Sequence, residues 1–293
     1  MTTTMVKTDR AILQNRAKIT EKIADFWNKT SEGWRAIWGP HLHHGYYENN
    51  YALSPIEAQE NLLHKLTAKL DIKAHSRILD VGCGMGGSSI YLAKKFEAIV
   101  TGITLSQKQI AIASHEVECE HIQNVDFKIE DALSLASFAD NSFDIVWSLE
   151  SCEQFFDKKL FLQQAYRVLK PNGKLMLATW CSGSEEYAGI QANQYKKLCS
   201  AFDLPYMPTI NHYRKLLEEE NFAVAETLDW TQHVEKTWSI GLTLTNAYSF
   251  LKLLKLGGLR GLRLVGQLKL MKQGFEEQRV KYGVFYAVKD LNK

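Results

Sequence analysis

DVGCGMGG, residues 80–87, ends the apolar run RILDV (77–81) and leads into SSIYLAKKF (88–96). Its Gly82, Gly84 and Gly87 satisfy the G-x-G-x-x-G spacing of a nucleotide-binding turn between a strand and a helix. Glycine in such a turn lets the backbone approach a ligand closely. The spacing alone does not name that ligand. Asp80, two residues before the first glycine, narrows the choice. A dinucleotide would set an anionic pyrophosphate against the turn, and a carboxylate repels it. A cationic ligand reverses the sign: opposite charges about 4 Å apart gain roughly 1 to 4 kcal/mol between water and a surface-like dielectric. The dinucleotide fingerprint also asks for Asp or Glu about 20 residues further on, to hold a ribose. GITLS (102–106) stands there, with Thr104 and no acid.

Around this turn the chain alternates strand-like and helix-like segments. RILDV, AIVTGI (98–103), VDFKI (125–129), FDIVWS (143–148) and KLMLATW (174–180) are short apolar runs bounded by Gly, Asp and Asn. Such runs suit strands buried on both faces. SSIYLAKKF, SQKQIAIASHEVE (106–118) and DKKLFLQQAYRVLK (157–170) lie between them with helical spacing. PNG at 171–173 is expected to end a helix and turn into the next strand. The alternation predicts right-handed βαβ units and a mostly parallel sheet. NFAVAETLDW (221–230) and YGVFYAVK (282–289) read as its last two strands, which makes seven. Upstream, apolar positions at helical spacing predict a helix over 11–30. SPIEAQENLLHKLTAKL (54–70) opens with Ser54 as N-cap, Pro55 at the first helical position and Glu57 completing a capping box.

These readings divide the 293 residues into an N-terminal helical lid region (1–76), a ligand-binding α/β core (77–180), and a last part (181–293) holding the final strands and an inserted helical cap. With 45% hydrophobic and 23% charged residues, the composition is that of a globular protein with a sizeable core. A net charge of +2 gives no nucleic-acid footprint. The five cysteines form no C-x-x-C pair, which argues against a cysteine zinc site and for a reducing compartment. The N-terminus lacks the apolar core of a secretory signal. No stretch approaches the roughly 18 apolar residues of a membrane span. A cytoplasmic protein is expected.

S-adenosylmethionine, with its ammonium and sulfonium, fits the charge of the glycine turn. The motifs add a resemblance. DVGCGMGGSSIYLAKKF, GITLSQKQ, DNSFDIVWSLESCEQFFDKKLF and LATWC resemble the class I S-adenosylmethionine-dependent methyltransferases. More closely they are similar to the γ-tocopherol methyltransferase group and related alkaloid N-methyltransferases. WRAIWGPHLHHGYYE (34–48) and MKQGFEEQRVKYGVFYAVK (271–289) extend the similarity from about residue 25 to near the end. The resemblance implies a Rossmann-like α/β fold and methyl transfer to a small, largely apolar acceptor. An indole or alkaloid-like amine is the alternative acceptor, and a non-catalytic cofactor-sensing module the alternative class.

The resemblance further implies that Asp80, Gly82 and Gly84 line the methionine half of the cofactor, flanked by Ser148 and Leu149. Thr104 and Gln109 would meet the ribose hydroxyls, although Ser106 and Gln109 also form an S-x-x-Q capping box. Asp131 and Ala132 match the positions that receive adenine, although Asp131 also suits a turn or cap. HLHHGYY (41–47) is read as a lid: His43 and His44 are the candidate bases, and Tyr46, Tyr47, Glu150 and Gln154 the candidate acceptor contacts. An aromatic face near a sulfonium adds roughly 0.5 to 2 kcal/mol. His43 and His44 are adjacent, and apart from Glu48 no Asp, Glu or Cys lies at ligand spacing nearby, so no metal is expected. ESCEQ (150–154) departs from the E-S-G-E-H of the related enzymes, placing Gln154 where they carry a histidine. Glutamine cannot remove a proton at neutral pH, which disfavours a phenol unless His43 or His44 substitutes. Finally, residues 251–274 hold six Lys or Arg and no acid among leucines. They read as a cap helix or as a weak peripheral membrane contact.

Overall fold

The computed structural model describes residues 2–48, 53–246 and 265–290. Strands β1 (Arg77–Val81), β2 (Ile99–Thr104), β3 (Val125–Ile129), β4 (Phe143–Leu149), β5 (Leu169–Ser182), β6 (Phe222–Asp229) and β7 (Val280–Lys289) form one sheet ordered β3-β2-β1-β4-β5-β7-β6. The first five strands pair in parallel, and β7 runs antiparallel between β5 and β6. The expected α/β fold with a mostly parallel seven-stranded sheet is thus the one found. The order reverses between β1 and β4, so the loops leaving these two strands open a crevice at their carboxyl ends.

The apolar runs work because successive side chains of a strand point to opposite faces. Ile78, Ile145, Trp147, Met176, Tyr282 and Val284 build one core. Leu79, Val81, Val146, Leu175, Leu177 and Phe285 build the other. Helix α2 (Pro55–Thr67) covers the first face with Leu62, Leu63 and Leu66, each worth about 1.5–3 kcal/mol on full burial. Its capping box forms in both directions between Ser54 and Glu57. Helix α3 (Gly87–Phe96) follows β1, and α4 (Gln107–Cys119) follows β2. Helix α5 (Lys158–Val168), capped by Asp157, precedes β5.

Two expectations about boundaries are corrected. The N-terminal helix is not confined to 11–30: α1 runs Thr2–Trp38 without a break, carries Gly33 within it, and ends just before Gly39 and Pro40. PNG does not close α5. That helix ends at Val168, β5 has already begun at Leu169, and the register against β4 jumps from Leu169 to Lys174 across the insert. Helix α7 (Ile210–Glu219) packs Tyr213 and Leu217 into the second core.

The cap consists of α6 (Gly189–Ala201), α8 (Thr231–Val234), α9 (Lys236–Asn246) and a helix over 265–276. Residues 251–264 of the basic segment lie outside the described residues. In its described part, Leu268, Met271 and Phe275 turn into the first core while Lys269 faces outward. No helix among the described residues is long and apolar enough to cross a membrane.

Trp147 stands fully buried at the middle of the sheet, on the strand that borders the crevice. Trp147→Ala should lower the unfolding free energy by about 3–5 kcal/mol in urea titration. A loss below about 1 kcal/mol would contradict this placement of the core.

Candidate active site

The carboxyl ends of β1, β2 and β4 surround a cavity of about 220 Å³. Asp80, Gly82, Gly84, Thr104, Gln109, Asp131, Ala132, Leu149, Glu150, Gln154, His43 and His44 all line it. Helix α1 roofs it with Ile23, Phe26, Trp27, Trp34 and Trp38, and the cap adds Phe202 and Trp238.

Asp80 sits in register between Gly102 of β2 and Trp147 of β4 and is only 2% exposed. Ser89, in the first turn of α3, donates to its Oδ2 at 2.6 Å. Burial pushes the carboxyl up to about 7 against that hydrogen bond. No Lys or Arg side chain pairs with it among the described residues. A buried acid without a counter-ion is a site for a cation. The turn that follows needs its first glycine. Gly82 adopts φ +77°, and a Cβ there would stand 2.2 Å from the Cβ of Ser151. The lid comes equally close at Gly87, where an added Cβ would lie 2.6 Å from Nδ1 of His41.

At the end of β2, the alternative between capping and an outward-facing Gln109 resolves by division. Its backbone N–H donates to Ser106 Oγ, which caps α4. Its side chain does not complete the box: Oε1 accepts from Thr104 Oγ1 at 2.6 Å, at the cavity wall. After β3, Asp131 Oδ1 accepts from the backbone of Leu133, so it does serve as a turn acid. Its Oδ2 is taken by Arg16 of α1, at 2.7 and 3.2 Å. Ser148 is not part of the wall. It is fully buried and bonds Ser151 Oγ, which in turn donates to Val81 O and ties the end of β4 to that of β1.

The histidine segment divides sharply. His44 donates its backbone N–H to Glu150 Oε1 at 2.8 Å and pairs through Nδ1 with Glu150 Oε2 at 2.7 Å. Tyr282 of β7 donates to Glu150 Oε1 at 2.8 Å. Burial pushes the Glu150 carboxyl up, but the His44 ring and the two hydrogen bonds from His44 outweigh it and hold the group below its ordinary value. Glu150 takes a left-handed φ of +50° to reach this position. The other ring nitrogen of His44, Nε2, is buried without a partner. Around the ring stand Trp180, Trp238, Phe275 and Tyr282, with centroids 4.9–5.9 Å away. His43 instead donates Nδ1–H to the carbonyl of His44, and burial lowers its basicity. His41 is pushed down to about 3 by burial and by His43. Two neutral imidazoles thus flank one that is locked to a carboxylate. Among the described residues no group of three His, Cys, Asp or Glu side chains is arranged to hold a metal ion.

Tyr46 and Tyr47 do not reach the cavity, which corrects their expected role. Their backbone N–H groups are tied to Ala58 of α2 and His233 of α8, which turns both side chains into packing. Tyr46 stacks on His233 at 4.6 Å, and Tyr47 is buried beside Thr237. Gln154 is in the wall, with Oε1 accepting from Trp27 of α1 at 2.9 Å. Sequence reasoning missed Arg16, Trp27, Trp180, Trp238 and Glu153, because only tertiary contact brings them to the site.

An uncompensated acid over a glycine turn, at the crossover of a parallel sheet, defines a binder of a cationic nucleoside ligand. The chain matches a family model described as a methyltransferase domain over residues 72–235. It is 32% identical over 286 residues to tocopherol O-methyltransferase of Arabidopsis thaliana, covering 92% of this chain and 82% of that one. To 2-methyl-6-phytyl-1,4-hydroquinone methyltransferase of Synechocystis it is 30% identical, covering 86% and 82%. Among solved structures, the [4+2]-cyclase SpnF superposes with a TM-score of 0.81 at 22% identity, over 92% of this chain and 97% of that one. The chain belongs to the class I S-adenosylmethionine-dependent methyltransferases. Its cofactor is S-adenosylmethionine.

Because folding raises the Asp80 carboxyl from 3.8 to about 7, the fold loses stability as pH climbs across that window. Asp80→Asn should remove that part of the slope, so at pH 8 its thermal midpoint should equal or exceed the parent's. Its affinity for S-adenosylmethionine in calorimetry should nonetheless drop on the order of 10- to 100-fold. An unchanged affinity would contradict the cation site.

Proposed function

We propose that this methyltransferase transfers a methyl group to a hydroxyl oxygen of a small, lipophilic aromatic acceptor. One observation carries the reading: His44 is fixed to Glu150 through Nδ1 and keeps a buried, unpartnered Nε2 in an aromatic-walled cavity. The names of the two relatives support it, one an O-methyltransferase of tocopherol and the other a methyltransferase of a phytyl hydroquinone. The amine acceptor is not favoured, because a fixed base is what a hydroxyl needs and those relatives do not point to an amine. Gln154 lacks the basicity of the histidine it replaces, and the His44–Glu150 pair makes up for it.

In this reading Asp80 receives the methionine ammonium, with Gly82 and Gly84 giving close backbone approach. Thr104 and Gln109 offer their polar groups to the ribose, and Ala132 and Leu149 flank the adenosyl and methionine parts. Asp131 can receive adenine once Arg16 shares or releases its Oδ2. When bound, S-adenosylmethionine supplies an electrophilic methyl group.

The chain does the rest. His44 Nε2 accepts the hydroxyl proton while Nδ1–H stays on Glu150, whose negative charge stabilises the resulting imidazolium. Tyr282 and the His44 backbone keep that carboxylate in place. Trp27, Trp38, Trp180 and Trp238 exclude water and press the ring into position, an effect that can lower the barrier by up to about 7–11 kcal/mol for ideal alignment.

The test is turnover with labelled S-adenosylmethionine against tocopherol- and hydroquinone-type acceptors. His44→Ala should cut kcat by roughly 10²- to 10⁴-fold, with cofactor affinity changed less than about twofold. Turnover restricted to amines, or undiminished in His44→Ala, would contradict the proposal.

A further inference from the structure

A further carboxyl group, that of Glu153, lines the cavity and has no part in the mechanism above. Glu153 lies on the short 3-10 turn Cys152–Gln154 that follows β4. It is only 3% exposed. Thr179 of β5 donates to its Oε2 at 3.1 Å, and Oε1 is buried without a partner. The nearest cation does not neutralise it. Lys158, at the start of α5, spends its ammonium on the backbone carbonyls of Glu153 and Phe155, at 3.0 and 2.5 Å, and so fastens the turn.

Burial, with the Glu150 carboxylate adding to it, pushes Glu153 up to about 8, so the group carries its proton near neutral pH. With Thr179 donating to Oε2, that oxygen is the carbonyl-like one and the O–H falls on Oε1. The unpartnered groups along the cavity therefore include an acceptor on His44 and, besides the indole N–H groups of Trp180 and Trp238, a donor on Glu153. A buried donor left unpaired is costly, so an acceptor molecule that satisfies it binds tighter. The donor does not belong on the oxygen that is methylated. A hydrogen bond donated to that oxygen would withdraw electron density from it and weaken its attack on the methyl group.

We propose that Glu153 is a specificity-determining residue: through Oε1 it donates a hydrogen bond to a second, unmethylated oxygen of the acceptor. The preferred acceptors are then aromatic rings bearing two oxygens, as in a hydroquinone, rather than simple phenols. This rests on the hydroxyl-acceptor reading above and adds to it a rule of recognition.

Binding separates the two. The full chain, loaded with S-adenosylhomocysteine and kept reduced, is titrated with trimethylhydroquinone and with the trimethylphenol lacking one of its hydroxyls. Tryptophan fluorescence reports occupancy. The parent protein should bind the hydroquinone about tenfold tighter. Glu153→Gln should keep that preference to within about threefold, since the amide N–H donates from the same place. Glu153→Leu should bind both rings alike, at the weaker value, with its affinity for S-adenosylhomocysteine retained. Equal binding of the two rings by the parent, or a preference that survives in Glu153→Leu, would overturn the inference while leaving the hydroxyl-acceptor reading standing. Failure of both rings to bind the loaded parent would overturn both.

Discussion

A carboxyl group held dry at the crossover of the sheet, with no positive side chain to meet it, is the constraint on which this protein turns. Asp80 is placed there by hydrogen bonding on both sides, opposite Gly102 on one strand and Trp147 on the next. Packing of Leu79 and Val81 into one core and Ile78 into the other fixes its direction. Desolvation holds it near neutrality in the free protein. In the proposed reading a cationic ligand supplies the missing charge and favours the ionised carboxylate, and the glycine turn gives it room.

The rest of the site is arranged around that carboxyl group by the lid. Helix α1 touches every quarter of the crevice: Arg16 holds Asp131, Asn28 accepts from Ser106, Trp27 donates to Gln154, and Lys22 pairs with Asp203 of the cap. The segment after it brings His41 against Gly87 and His44 against Glu150. In the proposed reading the lid thus covers the cofactor side and holds the base on the acceptor side. The SpnF likeness is a reminder that this fold also serves a cyclase, so the methyl-transfer chemistry rests on the residues rather than the topology.

The sheet was legible in the sequence because its strands are written as short apolar runs, and all seven lie in strands, although the edge strand β3 is not buried on both faces and β7 runs antiparallel. Asp80 and its glycines were legible because a turn motif is local. Local pattern failed where neighbours in space decide. Tyr46 and Tyr47 look like lid residues beside His44, yet two backbone hydrogen bonds turn them into the packing. Ser148 looks like a wall residue and instead braces Ser151. Gln109 could not be assigned between cap and cavity, since its backbone does one and its side chain the other. Glu153 and Tyr282 carry no signal of their own; burial and a partner from another strand give them meaning.

The most direct measurement is the titration of the Asp80 carboxyl itself, followed by carbon-13 resonance in the free protein and with S-adenosylmethionine bound. The account predicts a midpoint near 7 when free, falling well below that once the cation is in place. A free midpoint at the ordinary 3.8, or one that does not move on binding, would contradict it.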